Sequence, residues 1–317
     1  MRSKHESCRW LYLCFAQVLL CHIGLLAAEE TGRSSPTTCP KLYLGLTGAK
    51  DLEAASPAQW QTVIRRLDGV WFNAAGVPQE AVLRILTNIP GRPVILPVAI
   101  RSRAPWSMDD PAIARFEDAA GKKLVGGIEA VVVNCDSAKK LGNGDWQIGD
   151  IEKCRAQYLG RAKKIYMVVR GSHFNSDHEP VDDIVAHLIE KEADGVAFEI
   201  SPFKLSQEGV YRMVFQKGWE KARHENKPFM WLAPVGMGEG GSYLADMQKA
   251  WTWIRKNGIA LEYVIPINYG VPDALSGPSE KGGAVRKALP SVPECDGKGE
   301  AVNSLTGVVY WLMRQSD

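Results

Sequence analysis

The chain has 317 residues, of which 45% are hydrophobic and 23% charged, a composition typical of a globular protein with a large core. Its 38 lysine and arginine residues nearly balance 36 aspartate and glutamate residues, which leaves a formal net charge of +2. This balance argues against nucleic acid or an anionic membrane surface as the main partner.

The first residues predict a targeting signal rather than a folded element. Basic residues precede an apolar run over residues 10–27, and Ala28 completes a small-residue cleavage point. A retained membrane anchor is the alternative, but the run is near the lower length limit for a membrane span. We therefore expect a signal peptide over residues 1–28, a secreted or periplasmic protein, and no membrane association after cleavage.

A segment rich in Ser, Thr and Pro over residues 29–38 predicts a flexible lead-in, and one domain is expected over residues 39–317. Four cysteines lie beyond the predicted signal peptide, an even number that permits two disulfides in an exported protein. The suggested pairs are Cys39 with Cys295 and Cys135 with Cys154, and free buried thiols are the alternative. No Cys-x-x-Cys or His-x-His spacing occurs, so neither a metal nor another cofactor is expected.

Beyond residue 38, a short apolar run followed by a longer amphipathic stretch repeats eight times, at roughly the spacing of one β/α unit. Short continuous apolar runs are typical of strands buried on both faces. The candidate strands cover residues 41–47, 69–73, 93–100, 129–134, 164–170, 195–200, 229–234 and 262–268.

The segments between these strands carry helix signals, among them a helix-stop pair at Asn257 and Gly258. Eight alternations without a second type of composition predict a closed (β/α)8 TIM barrel. An open doubly wound sheet is the alternative, but the first strand lacks the following G-x-G-x-x-G turn of a nucleotide site. The expected helices cover residues 58–67, 78–87, 181–193, 209–225, 242–257 and 304–314, and a long loop is expected over 271–299.

Polar residues gather where the candidate strands end, which is the edge that carries the site in this fold. In the sixth strand, alternation assigns Gly195, Ala197 and Glu199 to one face, and their small size indicates the crowded interior. Asp136 follows the fourth strand, so the two carboxylates could span the roughly 5–9 Å that glycoside hydrolysis requires. The alternative is a salt bridge from Glu199 to Arg170 on the neighbouring strand, which would brace the barrel.

Other polar and aromatic residues at these strand ends are candidates for binding a sugar. Amides would hold hydroxyl groups, arginines would pair with acidic groups, and aromatic faces would stack on sugar rings. Trp231 is the expected stacking platform, whereas Trp71 is expected in the core. The expected binding residues are Asn73, Arg101, Asn134, Arg170, His173, Trp231, Asn268 and Tyr269.

With its signal peptide, its eight units and these strand-end residues, the chain resembles secreted (β/α)8-barrel glycoside hydrolases in architecture. The D-x-x-D-x-D-x-E run of chitinases is absent, and the seventh strand has no acid before Glu239, unlike enzymes with acids on strands four and seven. Another group uses acids after strands four and six, which Asp136 and Glu199 match by position. The resemblance implies that Glu199 is the general acid and Asp136 the nucleophile or base.

Two other functions fit the same sequence. One is a non-catalytic carbohydrate-binding barrel that kept the mouth but lost one carboxylate, and the other is a structural or partner-binding exported protein. The first would bind sugar without releasing reducing ends, and the second would use its polar strand ends in internal pairs. The partner we expect is a carbohydrate substrate, and we expect the protein to be a monomer.

Overall fold

The structure of the protein is a computed structural model, and the described residues belong to one compact unit, Cys39–Asp317. The predicted signal peptide over 1–28 and lead-in over 29–38 lie outside them. The structure describes residues 39–47, 67–73, 87, 91–99, 118, 126–134, 139–140, 146–147, 160–170, 193–234, 242–267 and 305–315.

Eight parallel strands form a closed barrel in which strands that follow one another along the chain are hydrogen-bonded neighbours, and the last strand pairs back onto the first. This is the strand arrangement of a TIM barrel, so the predicted fold class is confirmed. All eight candidate strands are present, with ends within about one residue of those predicted. The strands are β1 Lys41–Thr47, β2 Gly69–Asn73, β3 Val94–Ala99, β4 Ile128–Asn134, β7 Lys164–Arg170, β8 Gly195–Glu199, β9 Phe229–Pro234 and β10 Tyr263–Ile267.

Four helices and one small hairpin complete the described elements. The helices predicted over 209–225, 242–257 and 304–314 are confirmed, whereas the short helix after β8 and the hairpin were not predicted. The other predicted helices and the loop over 271–299 lie essentially outside the described residues. No described helix is long and apolar enough to cross a membrane. The helices are α1 Pro202–Ser206, α2 Val210–His224, α3 Tyr243–Lys256 and α4 Leu305–Arg314, and the antiparallel hairpin is β5 Lys139–Lys140 with β6 Trp146–Gln147.

Local sequence explains where α3 begins and ends. The Ser242 hydroxyl accepts a hydrogen bond from the Ala245 backbone N–H at 3.2 Å, which is the usual N-cap contact. At the other end the chain turns at Asn257, and Gly258 adopts a φ of 63°, a left-handed conformation that glycine tolerates best. The predicted stop pair is therefore confirmed.

Strand alternation divides the buried side chains into an interior cluster and an outer cluster beneath the helices. On β8, Ala197 belongs to the interior cluster, whereas Val196 and Phe198 belong to the outer one, as predicted. The small size of Gly195 and Ala197 had suggested an interior of small residues, but large residues also lie there. The interior cluster consists of Tyr43, Trp71, Ile95, Ala130, Val132, Tyr166, Val168, Ala197, Met230, Leu232, Tyr263, Ile265 and Ile267.

Two interior tyrosines fit because a glycine lies beside each on the next strand. Tyr43 is in register with Gly69, and Tyr166 is in register with Gly195. A Cβ atom on Gly69 or Gly195 would lie 2.2 Å or 2.3 Å from the neighbouring tyrosine ring, far inside van der Waals contact. The rings occupy the volume that the missing side chains leave, so small and large residues alternate around the barrel.

The outer layer contains a similar contact between a helix and a strand. Gly218 of α2 faces Phe198 of β8, and a Cβ atom on Gly218 would lie 2.3 Å from the phenylalanine ring. Phe198 is fully buried, with Phe215 5.7 Å and Phe229 5.1 Å away between ring centroids. Because neighbouring rings confine Phe198, this glycine sets how closely α2 approaches the barrel.

Gly218→Ala is expected to lower the free energy of unfolding by about 1–3 kcal/mol through overpacking. Helix propensity alone predicts the opposite sign, a gain of about 1 kcal/mol. Urea unfolding of the single variant and of the same change in a Phe198→Leu background measures the contact. A stabilised single variant, or an equal cost in both backgrounds, would contradict the packing argument.

Candidate functional site at the carboxyl end of the barrel

Glu199 is the predicted catalytic residue whose side-chain environment the structure describes. It is the last residue of β8 and is half-buried, whereas the four residues before it on that strand are buried. In the barrel it is in register with Arg170 of β7 and Leu232 of β9. Since Ala197 faces the interior, alternation carries the same face to Glu199 at the carboxyl end.

The backbone that follows Glu199 is fixed by contacts with β9. The Ile200 N–H donates to the Leu232 carbonyl at 3.2 Å, and the Trp231 indole N–H donates to the Ile200 carbonyl at 2.9 Å. The chain then enters α1, where the Ser201 hydroxyl accepts from the Lys204 N–H at 3.4 Å. Along the chain, Glu199 is therefore preceded by a hydrogen-bonded strand and followed by a turn that hydrogen bonds hold in place.

The structure corrects the expected role of Trp231. Its side chain is fully buried in the outer cluster, with its ring centroid 6.1 Å from that of Phe215 in α2. The reason is alternation, because Met230 and Leu232 on either side of it face the barrel interior. Trp231 therefore lies on the wrong face of β9 to stack on a sugar at the mouth. Trp71, in contrast, is buried in the interior cluster, as expected.

Three further candidates lie at strand ends, where the backbone is described. Asn73 ends β2 in register with Thr47, and Asn134 ends β4 in register with Val168 of β7. Arg170 ends β7 beside Glu199. Because β4, β7 and β8 are consecutive in the barrel, Asn134, Arg170 and Glu199 end three neighbouring strands.

The remaining predicted site residues lie outside the described residues, so their roles stay predictions. They are Asp136, Arg101, His173, Asn268 and Tyr269. Of the four cysteines, only Cys39 is described, and it is exposed, so the suggested pairings also stay predictions. Within the described ranges, no group of three or more His, Cys, Asp or Glu side chains could hold a metal ion.

A second polar cluster, which the sequence analysis missed, lies at the amino end of the barrel around Glu129. This carboxylate accepts hydrogen bonds from Lys163 at 2.8 Å, Tyr263 at 3.0 Å and Lys41 at 3.3 Å. Only 8% of Glu129 is exposed. The Lys41 ammonium also lies 5.1 Å from the centroid of the Tyr263 ring. These contacts join the starts of β1, β4 and β10.

Glu262 anchors the other half of this amino-end cluster. It accepts a hydrogen bond from Lys164 at 2.5 Å and another from the Tyr166 hydroxyl at 2.6 Å. The Tyr263 ring contacts both Tyr43 and Tyr166 edge-on, with centroids 5.3 Å and 5.9 Å apart. Three tyrosine rings thus fill the amino end of the barrel, and two carboxylates accept from two of their hydroxyl groups.

Burial and hydrogen bonds in this cluster shift the pKa values of Glu129 and Tyr166 strongly. Burial by itself would raise the pKa of Glu129, but hydrogen bonds from Lys163, Tyr263 and Lys41 lower it from 4.5 to about 2. Burial raises the pKa of Tyr166, and the hydrogen bond to Glu262 raises it further. Glu129 is therefore ionised and Tyr166 neutral at every ordinary pH.

We interpret the amino-end cluster as a device for stability. In this fold the amino face contributes to stability, whereas chemistry takes place at the carboxyl face. A signal for it is present in the sequence, because Lys-x-Tyr opens both β1, at Lys41 and Tyr43, and β7, at Lys164 and Tyr166. Residues two positions apart on a strand share one face, so this pattern predicts a charged residue at the start of the strand and an aromatic residue next to it in the interior.

Glu129→Gln is expected to lower the free energy of unfolding by about 1–3 kcal/mol at pH 7, because charge-assisted hydrogen bonds are lost. The pKa of Glu129 is lowered in the folded protein, so its contribution is complete above pH 4.5 and is lost as the pH falls towards 2. The difference between wild type and variant should therefore shrink across that range.

Urea unfolding at a series of pH values measures this difference. Glu208→Gln is the matched control, because its side chain is 95% exposed. That control should follow the wild type within about 0.5 kcal/mol. A difference between wild type and Glu129→Gln that stays constant from pH 5 to 2 would show that the cluster does not act through this charge.

Comparison with known proteins adds no family. No protein-family model and no curated protein matches the chain. Similar solved structures include 3-dehydroquinate dehydratase from Geobacillus kaustophilus HTA426, at 16% identity and a TM-score of 0.43, covering 72% of this chain and 82% of that one. Orotidine 5'-monophosphate decarboxylase from Sulfolobus solfataricus is 12% identical with a TM-score of 0.45, covering 87% and 97%.

An endo-1,4-beta-xylanase from Caldicellulosiruptor owensensis is also similar, at 11% identity and a TM-score of 0.47, covering 87% of this chain and 98% of that one. A dehydratase, a decarboxylase and a glycoside hydrolase catalyse unrelated reactions. At these identities and TM-scores the similarities carry no argument, and the fold rests on the strand pairing itself.

Proposed function

We propose that the protein is an exported, glycoside hydrolase-like enzyme that acts on an oligo- or polysaccharide through Glu199 and Asp136. The observation that carries this proposal is the position of Glu199 at the carboxyl end of β8. It continues the interior face of that strand and is the first residue along the strand to be partly exposed.

A half-buried carboxyl group at this position suits a general acid. Its partial exposure lets it reach a glycosidic oxygen. Of the residues that precede Glu199 on the same face, Ala197 is small, and Gly195 makes room for the Tyr166 ring.

Asp136 would supply the second carboxylate. It comes two residues after Asn134, which ends β4, and only β7 separates β4 from β8. Two strand spacings place these ends about 10 Å apart along the barrel wall, and side chains that point inward shorten this distance. A separation shortened in this way would fall within the roughly 5–9 Å range of glycosidase pairs. In this proposal Asp136 acts as nucleophile or base.

The proposal assigns substrate binding to residues at other strand ends and in the loops. Asn73, Asn134 and Arg170 are the last residues of β2, β4 and β7, at the carboxyl edge of the barrel. Asparagine amides would bind sugar hydroxyls, and Arg170 would bind an acidic substituent. From the loops, the proposal adds Arg101, His173, Asn268 and Tyr269.

A non-catalytic carbohydrate-binding barrel is the second candidate, and one observation favours it. Arg170 is the direct register partner of Glu199 on the adjacent strand. Parallel neighbours at this spacing can form an ion pair, which would keep Glu199 charged and unable to donate a proton. Such a barrel would still bind a sugar through its amides.

Glu199→Gln is expected to lower hydrolysis of an active polysaccharide by about 10²–10⁴-fold, because the amide cannot transfer a proton. Release of reducing ends from a panel of neutral and acidic polysaccharides measures activity, and Asp136→Asn should cause a loss of similar size. Glu208→Gln, at an exposed position, is the control and should keep wild-type activity.

Each outcome of this experiment decides between the candidates. Unchanged hydrolysis in Glu199→Gln rejects the assignment of that residue. Sugar binding by the wild type in calorimetry, without release of reducing ends from any substrate, supports the binding barrel instead. If the wild type neither binds nor hydrolyses any polysaccharide of the panel, carbohydrate is rejected as the partner.

Export is part of the proposal and has its own test. The apolar run over residues 10–27 and the small residues that follow it support cleavage after Ala28. When the full chain is expressed in a host with a secretory pathway, N-terminal sequencing of the exported protein should begin at Glu29. Recovery of the uncleaved chain from the membrane fraction would contradict this prediction.

A further inference from the structure

We infer that Trp231 is a positioning residue for Glu199, acting through the backbone of Ile200, and this inference rests on the function proposed for Glu199. The indole N–H of Trp231 donates to the Ile200 carbonyl at 2.9 Å. Ile200 directly follows Glu199 and is itself only 1% exposed. A buried tryptophan on one face of β9 thus fixes the chain next to the proposed acid on the other face of β8.

The hydrogen bonds of Ile200 show why the tryptophan is needed. Its N–H is satisfied by the Leu232 carbonyl at 3.2 Å, which continues the ladder between β8 and β9. Beyond that point the chain leaves the sheet for α1. The Ile200 carbonyl therefore has no partner in the ladder and accepts a hydrogen bond from the Trp231 side chain. A buried carbonyl needs such a donor, and the donor fixes the peptide that joins Ile200 to Ser201.

The indole is well suited to this task because it cannot move easily. Trp231 is fully buried, and its ring lies edge-on to Phe215 at 6.1 Å. Phe215 in turn contacts Phe198 at 5.7 Å and Phe229 at 5.1 Å. This aromatic group between β8, β9 and α2 holds the N–H in one direction, which is the preorganisation that a catalytic carboxyl group requires of its support.

The next strand end provides a matched contact without a candidate acid. The Tyr243 hydroxyl of α3 donates to the Ala233 carbonyl at 2.7 Å, and both residues are buried. Ala233 lies near the end of β9, and the residue that follows it is Pro234. Tyr243→Phe therefore removes a buried side-chain donor to a strand-end carbonyl, as Trp231→Phe does, but that carbonyl belongs to β9 and not to the segment that follows Glu199 in the chain.

The test compares the carboxyl carbon resonance of Glu199 in the full-length protein labelled with ¹³Cδ-glutamate. Glu199→Gln assigns the signal by its disappearance. In Trp231→Phe, the Glu199 signal should move by more than the spread of changes seen at the other resolved glutamates. In Tyr243→Phe it should stay within that spread. An unmoved signal in Trp231→Phe, or an equal movement in both variants, would overturn the inference.

A second variant covers the case in which phenylalanine does not fold. Trp231→3-benzothienylalanine keeps the bicyclic ring and replaces the N–H by sulfur, so it removes the donor with little change of shape. The same movement of the Glu199 signal is expected. Where a hydrolysed substrate is in hand, Trp231→Phe should lower kcat about tenfold and leave KM within about twofold.

The two proposals fail separately. The resonance measurement needs no substrate, so it decides the role of Trp231 even when no polysaccharide is hydrolysed. Hydrolysis that is lost in Glu199→Gln and unchanged in a folded Trp231→Phe variant would support the proposed function and reject the positioning role.

Discussion

Closing eight parallel strands into a ring gives every strand two hydrogen-bonded neighbours, and this constraint fixes which side chains face the interior. A slip of one residue in the register of β8 would exchange its two faces. Phe198 would then face the interior of the barrel, which tyrosines line, and Glu199 would face the helices. The Tyr166–Gly195 contact opposes such a slip, because the Tyr166 ring requires a glycine as its register partner on β8. The location of the proposed acid therefore depends on a contact at the far end of the barrel.

The two ends of the barrel use carboxylates in different ways. At the amino end, Glu129 and Glu262 accept hydrogen bonds from lysines and tyrosines, and the resulting low pKa of Glu129 keeps it charged. At the carboxyl end, Glu199 is half-buried on the edge where this fold places its chemistry. In this fold an acid at the amino end contributes to stability, whereas an acid at the carboxyl end lies on the face where ligands bind.

Trp231 shows how one position along a strand changes the meaning of a residue. A tryptophan near the end of a barrel strand predicts a sugar platform when it faces the mouth, but here Met230 and Leu232 take the interior positions. Trp231 is left in the outer cluster, where its indole N–H binds the carbonyl after Glu199. The residue retains a connection to the site, through the backbone rather than through a ligand.

Much of the fold followed from local sequence patterns. Short apolar runs spaced by amphipathic segments were sufficient to predict all eight strands, and the stop pair at Asn257 and Gly258 was sufficient to predict where α3 ends. The face of Glu199 was also predictable, because Gly195 and Ala197 share its phase within one strand. Each of these features depends on interactions between residues close together in the chain.

Other features depended on which strands the closed barrel brings together. The amino-end cluster joins Lys41 to Glu129 and Tyr166 to Glu262, across sequence separations of 88 and 96 residues. The side of β9 on which Trp231 lies could not be predicted either, because the strand is apolar on both faces and shows no alternation of polarity. The sequence by itself determined the strands, their order along the chain and the acids at their ends. Only the tertiary structure decided which buried groups meet, because those contacts form between distant strands.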